Sequence, residues 1–225
     1  MEHEKLLPYS FNSVKKENKF YKNAHELSRM VSNVREYCVR ESIEIPSNVN
    51  LEIKGKKVIV EGKRGHLEKD FSHVKNVLIY KDGNKVVVET YFAKKRHAAV
   101  VKTIIAHIRN MFIGVTKGYR YRMKVVYAHF PMSIKVEGSY VVIENFLGKK
   151  DKRYAKIVGK DTKVIVEKDD VIIEGIDIDA VGQTAANIHL ATHLTGSLRL
   201  CPHGRDGGPG VLDGIYVYAK ETIEE

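Results

Sequence analysis

From Ile43 onward, apolar and polar positions follow a period that switches between two residues and a helical repeat, and each switch marks an element. Ile43, Ile45, Val49, Leu51 and Ile53 alternate with polar residues across Pro46-Ser47-Asn48, which predicts short strands joined by a turn. Val58-Ile59-Val60 follows a Gly55-Lys56-Lys57 turn and ends at a second turn, Lys63-Arg64-Gly65. Val77 to Tyr80 and Val86 to Tyr91 flank Lys81-Asp82-Gly83-Asn84, a hairpin with an Asp-Gly turn. The period then turns helical: Ala98, Val101, Ile104, Ile105, Ile108, Met111 and Phe112 make a wide apolar stripe with Lys102 and Arg109 off it. Gly114 stands where a glycine helix stop is expected.

The same order recurs. Ile45-Pro46 matches Phe130-Pro131, Val58-Ile59-Val60 matches Val141-Val142-Ile143, and the glycine of Lys63-Arg64-Gly65 matches that of Phe146-Leu147-Gly148. Lys163-Val164-Ile165-Val166, a turn over Glu167 to Asp170, and Val171-Ile172-Ile173-Glu174 repeat the hairpin. Asp179 to Leu194 repeats the helix, with Ala186, Leu190 and Leu194 among its apolar positions. The offset is 85 residues at the prolines, 83 at the glycines and 85 at the hairpins, and its near constancy predicts a duplication. The fold class expected is α+β: two tandem repeats of a small antiparallel sheet plus one helix, with an N-terminal helical extension.

The expected divisions are an extension over residues 1–41, a first repeat over 42–125 and a second over 126–225. Within the extension, Leu27, Met30, Val31, Val34 and Cys38 recur at helical spacing, which predicts an amphipathic helix from Ala24 to about Arg40 with Asn23 as its N-cap. Cys201-Pro-His-Gly-Arg-Asp-Gly-Gly-Pro-Gly reads as a loop, and Leu212-Asp-Gly-Ile-Tyr-Val-Tyr as a last strand before an acidic tail.

Charge changes the picture from a generic fold to a polyanion binder. The net charge is +10 over 225 residues, yet it is unevenly spread. Residues 42–160 carry 25 Lys+Arg against 10 Asp+Glu, while residues 161–225 carry 5 against 12. A basic middle is the footprint of a surface for RNA, DNA or an anionic membrane. No apolar run long enough to span a bilayer is evident in the sequence. Two cysteines (Cys38 and Cys201) and a start without an apolar signal core point to a reducing setting, the cytoplasm or the nucleus.

The candidate chemistry is binding. Gly114 to Pro131 interleaves Lys117, Arg120, Arg122 and Lys124 with Tyr119, Tyr121 and Tyr127. In an extended chain Tyr119, Tyr121 and Met123 share one face, and Arg120, Arg122 and Lys124 the other. Further basic groups fall at predicted turns or helix starts: Lys54, Lys56 and Lys57; Lys63 and Arg64; Lys94, Lys95 and Arg96; Lys149, Lys150, Lys152 and Arg153. Lys94-Lys95-Arg96 runs against the dipole of the helix it opens, which favours an external anion. The RNA contacts expected are Lys117, Arg120, Arg122, Lys124, Lys149, Lys150, Lys152 and Arg153.

Catalytic and metal motifs do not stand up. His189 and His193 share a helix face without a third ligand, and Cys201-x-His203 is a fragment of a zinc signature. Gly204 to Gly210 lacks the Gly-Lys-Ser/Thr of a phosphate loop, and Asp169-Asp170 sits in a hairpin turn. No cofactor and no metal are expected.

Four strings are long and specific: Gly114-Val-Thr-Lys-Gly-Tyr-Arg-Tyr-Arg-Met, Val126-Tyr-Ala-His-Phe-Pro, Asn145-Phe-Leu-Gly-Lys and Leu212-Asp-Gly-Ile-Tyr-Val. Through them the chain, from about Ile43 to Thr195 and again from Leu212 to Val217, resembles the universal large-subunit ribosomal protein six family (protein nine of the eukaryotic large subunit), in its archaeal and eukaryotic branch. The resemblance implies a non-catalytic constituent of the large ribosomal subunit. Its RNA would lie beside the sarcin-ricin loop, with neighbouring ribosomal proteins as partners, translational GTPases passing close by, and no membrane. It implies a cytoplasmic ribosome, with a nuclear or nucleolar assembly stage in a eukaryote. Two departures stand out: residues 1–41 exceed the usual family start, and Gly207-Gly-Pro-Gly-Val replaces a shorter basic segment. Two other classes compete, an RNA-processing enzyme and a basic module for acidic protein partners.

Overall fold

The computed structural model describes residues 36–194 and 213–223. The first repeat comprises β1 (Glu36–Glu44), β2 (Asn50–Lys54), β3 (Lys57–Gly62), β4 (Gly65–Asp70), β5 (Leu78–Asp82), β6 (Lys85–Ala93) and α1 (Lys95–Thr116). The second comprises β7 (Tyr119–Val126), β8 (Ser133–Glu137), β9 (Tyr140–Glu144), a single 3-10 turn (Phe146–Gly148), β10 (Arg153–Lys156), β11 (Lys163–Glu167), β12 (Asp170–Gly175), α2 (Ile178–Thr192) and β13 (Gly214–Thr222).

Strand order makes the duplication explicit. The first repeat has sheets β1-β6-β5 and β2-β3-β4; the second has β11-β12-β7-β13 and β10-β9-β8, all antiparallel. Reading β7 as β1, β8 as β2 and so on, the two sets of pairings coincide, and β13 is the addition, laid along β7. The expected division between residues 125 and 126 falls at the end of β7, whose neighbours β12 and β13 both belong to the second repeat.

Each repeat encloses its own core. In the first, Val58 and Val60 of β3 and Val86 and Val88 of β6 meet Val101, Ile104, Ile108 and Val115 of α1, with Phe71 closing one side. In the second, Met123, Val141, Ile143, Val171 and Ile173 meet Val181, Ala185 and Ile188 of α2, with Phe146 beneath the turn. By length and composition α1 is apolar enough to cross a membrane, which the sequence reading missed because Lys102, His107 and Arg109 interrupt the run. Its apolar side is instead buried against β6, β1 and β3.

Three expectations change. The helix expected to reach Arg40 lies outside the described residues as far as position 35, and from Glu36 the chain is a strand, paired residue by residue with β6. The N-terminal helical extension therefore has no counterpart among the described residues. Cys38 is exposed on β1 while Val39 is buried, the alternation of an edge strand that mimics part of a helical stripe.

Gly114 is not a helix stop. The helix runs on to Thr116, and Gly118, with φ of 78°, ends it by donating its N–H to the Ile113 carbonyl at 3.2 Å. In α2 the buried face is Ala180, Val181, Thr184, Ala185, Ile188 and Thr192, whereas the expected Leu190 is 61% exposed. Alanines on several sides blur that stripe, and packing selects the face that carries Val181 and Ile188.

Candidate nucleic-acid interface

β7 runs down the middle of the four-stranded sheet, so its two faces have different fates. Tyr119 and Met123 are buried and Tyr121 packs against the second core, while Arg120, Arg122 and Lys124 stand on the opposite face, as the alternation predicts. Each meets a carboxylate on a flanking strand. Arg120 donates from Nε to Glu174 Oε1 at 2.7 Å, and its Nη2 lies 2.6 Å from the same oxygen in an ion pair. Arg122 Nε lies 3.3 Å from Glu221, and hydrogen bonding with Tyr218, followed by the charge of Glu221, pushes the Arg122 pKa up. Lys124 bonds Asp170 at 3.2 Å. The result is a ladder of ion pairs that ties β12 and β13 to β7.

The second expected cluster is built by an unusual turn. Asn145 and Leu147 both adopt left-handed backbone, at φ 61° and 56°, followed by Gly148 at 72°. Asn145 fixes the entry by donating its side-chain N–H to the Pro131 carbonyl at 2.9 Å. A Cβ on Gly148 would come within 3.1 Å of the Phe130 ring, so the turn is pressed against that side chain. Lys149 and Lys150 follow directly and are exposed.

Beyond them the cluster divides. Lys152 pairs with Glu144 at 2.8 Å, and Lys135 meets the other oxygen at 3.2 Å. Those bonds, Lys152's first, hold the Glu144 carboxyl below its usual range and push the Lys152 ammonium up. Arg153 turns inward, donating to the Ala191 carbonyl at 2.6 Å with its guanidinium 4.4 Å from the Phe146 ring centre.

Of the eight expected contacts, Arg120, Arg122, Lys124, Lys152 and Arg153 thus have partners within the chain. Lys117, Lys149 and Lys150 are exposed and have no side-chain partner among the described residues. In the first repeat, Lys54 pairs with Glu52 at 3.0 Å and Lys57 with Glu68 at 2.5 Å. Lys94 opens α1 with no side-chain cap and no acidic residue in the first turn, so the anion-attracting end stays uncompensated as expected.

The sequence reading missed the outward face of the β8-β9-β10 sheet. Ile134, Val141, Ile143 and Ala155 point to the core, so Lys135, Glu137, Tyr140, Tyr154 and Lys156 point away from it. Alternation of Lys152, Tyr154 and Lys156 was the available signal. In the histidine pair, His189 bonds the Ile215 carbonyl at 2.9 Å, and its ring centre lies 5.6 Å from that of His193. No group of three potential ligands occurs among the described residues.

Comparison with known proteins decides the family. The signature described as Ribosomal protein L6 matches residues 45–118 and 130–198, which takes in most of both repeats. The chain belongs to the ribosomal protein L6 family. Members of that family named large ribosomal subunit protein uL6 align along most of the chain. The Staphylothermus marinus protein is 50% identical over 182 residues, covering 80% of this chain and 94% of its own length. That of Sulfurisphaera tokodaii is 51% identical, covering 81% and 93%. The Saccharolobus solfataricus protein is 46% identical, covering 83% and 97%.

Proposed function

We propose that this chain is a structural, non-catalytic constituent of the large ribosomal subunit that holds ribosomal RNA through phosphate and shape contacts. The observation that carries it is the L6 signature across both repeats, joined to exposed Lys117, Lys149 and Lys150, which lack partners among the described residues. Cations without internal carboxylates gain most from a phosphate backbone, because binding there releases condensed counterions. Lys117 and the Lys149-Lys150 turn are the primary contacts. Arg120, Arg122, Lys124, Lys152 and Arg153 act second, by holding the strands and turn in place. The RNA neighbourhood proposed is that of the sarcin-ricin loop, with translational GTPases passing close by and other ribosomal proteins alongside. The working compartment is the cytoplasmic ribosome, preceded in a nucleated cell by assembly in the nucleus.

The test is fractionation of a growing cell on a sucrose gradient after a salt wash that strips loosely held proteins. The chain is expected with the large subunit, and finding it free at the top overturns the assignment. An RNA fragment and an acidic peptide of equal charge separate this role from a protein-binding module: RNA is expected to show the steeper salt dependence.

A further inference from the structure

The two small sheets are copies of one design, and their outward faces have diverged. Aligned by strand register, Ile59 of β3 corresponds to Val142 of β9, since Val58 and Val60, like Val141 and Ile143, face their cores. Ile59 sits between Glu52 and Glu68; Val142 sits between Lys135 and Tyr154. One step along, Lys57 sits between Lys54 and Asp70, and Tyr140 between Glu137 and Lys156. At equivalent places the first repeat therefore has Glu52, Glu68 and Asp70 where the second has Lys135, Tyr154 and Lys156.

The exchanged side chains lie outside both core clusters, and Val142, between Lys135 and Tyr154, is itself buried. Tyr154 is 60% exposed and Tyr140 46% exposed, and neither hydroxyl has a hydrogen-bond partner among the described residues. The register makes the tyrosines diagonal neighbours, with Lys156 opposite Tyr140 and two residues from Tyr154. Lys149 and Lys150 stand at the turn just before β10. Flat rings spaced along a sheet with cations beside them are what single-stranded nucleic acid needs. Bases stack on the rings regardless of sequence, and ammonium groups follow the phosphates.

We propose that the outward face of the β8-β9-β10 sheet is a stacking platform for unpaired RNA bases, with Tyr140 and Tyr154 as the rings and Lys156 as the phosphate contact. The platform deepens the ribosomal reading given above and rests on it. It adds a role in capturing bases that have left a helix; the equivalent face of the first repeat carries paired lysines and carboxylates and no tyrosine.

The experiment measures binding of the full chain to an unstructured oligouridylate and to an RNA duplex of the same phosphate number. Replacing both rings, Tyr140→Leu with Tyr154→Leu, is expected to weaken oligouridylate binding about tenfold or more, with duplex binding held. Tyr140→Phe with Tyr154→Phe keeps the rings and is expected to bind as the natural chain does. Lys156→Gln is expected to flatten the salt dependence, which the leucine pair leaves unchanged. Photocrosslinking of the natural chain to a thiouridine-substituted oligonucleotide is expected on the peptides that carry Tyr140 and Tyr154.

The platform is overturned if the leucine pair binds oligouridylate normally, if the phenylalanine pair loses as much as the leucine pair, or if crosslinks fall elsewhere. An equal loss on the duplex would also overturn it, as a general effect on the sheet. If the natural chain shows no salt-dependent binding to either RNA, the ribosomal RNA reading itself fails.

Discussion

Gly114 shows how a single missing side chain sets the geometry between the repeats. A Cβ at that position would sit 2.1 Å from the Ile176 carbonyl oxygen, far inside van der Waals range, and 3.4 Å from a Leu67 methyl. In an exposed helix, glycine to alanine gains about 1 kcal/mol. Here the sign reverses, because the obstacle is backbone and cannot rotate away. Gly114→Ala is expected to destabilise the chain by about 1–3 kcal/mol in urea unfolding; a gain in stability would show that the repeats do not meet there. Tyr119 gives a second test at this scale. Burial pushes its pKa from 10.0 up to about 12, and its hydroxyl donates to the Asn110 carbonyl at 3.1 Å. Because the folded state keeps its proton longer than the unfolded chain, this contribution is whole below pH 10.0 and is lost as pH rises towards about 12. Melting temperature across that window is expected to fall less steeply in Tyr119→Phe than in the natural chain.

Among the elements, β7 makes a distinction that side-chain type alone does not. The sequence predicts its alternation, and the structure places the basic side on the outward face. The partners were not legible: Arg120 meets Glu174 from 54 positions away and Lys124 meets Asp170 from 46. Local period reveals which face a residue takes, whereas ion pairing depends on which strand arrives beside it. The same limit explains β1, where Cys38 fits a helical stripe but pairing with β6 decides the outcome, and Gly114, whose purpose depends on Ile176. The hairpins and α1 were legible because their signals are local and strong; α2 was legible as a helix, and its buried face was not. A measurement separates structural cations from those proposed to face RNA. Arg120→Gln removes a pair that is 30% and 22% exposed at its two ends, and is expected to cost about 1 kcal/mol of stability with the salt slope of RNA binding intact. Lys149→Gln with Lys150→Gln should do the reverse, holding stability and reducing the slope by about 0.7–0.9 for each phosphate no longer neutralised.

At the level of the whole molecule, one duplicated plan serves two environments. Lys54 and Lys57 of the first repeat pair with Glu52 and Glu68, as Lys135 and Lys152 of the second pair with Glu144; Lys149, Lys150 and Lys156, beside exposed tyrosines, have no side-chain partner among the described residues. The repeats are fastened through Gly114 and by Lys69, which pairs with Asp179 at the start of α2 and lies 3.2 Å from His107. The copies also differ in β13, which covers the edge of β7 and bonds it along most of its length. Deleting residues 213–225 is expected to lower hydrogen-exchange protection in β7 and β12 while leaving β3 and β6 as they are. Equal loss in both repeats would mean that they unfold as one unit. The order of synthesis follows from the same strand. Every buried member of the first core has been translated by Thr116, with only Ile176 packing on it from the second repeat, so that half can collapse while the rest is still being made. The other half waits for Gly214 to Thr222 to leave the exit tunnel, and until then β7 presents an open hydrogen-bonding edge to whatever the nascent chain meets first.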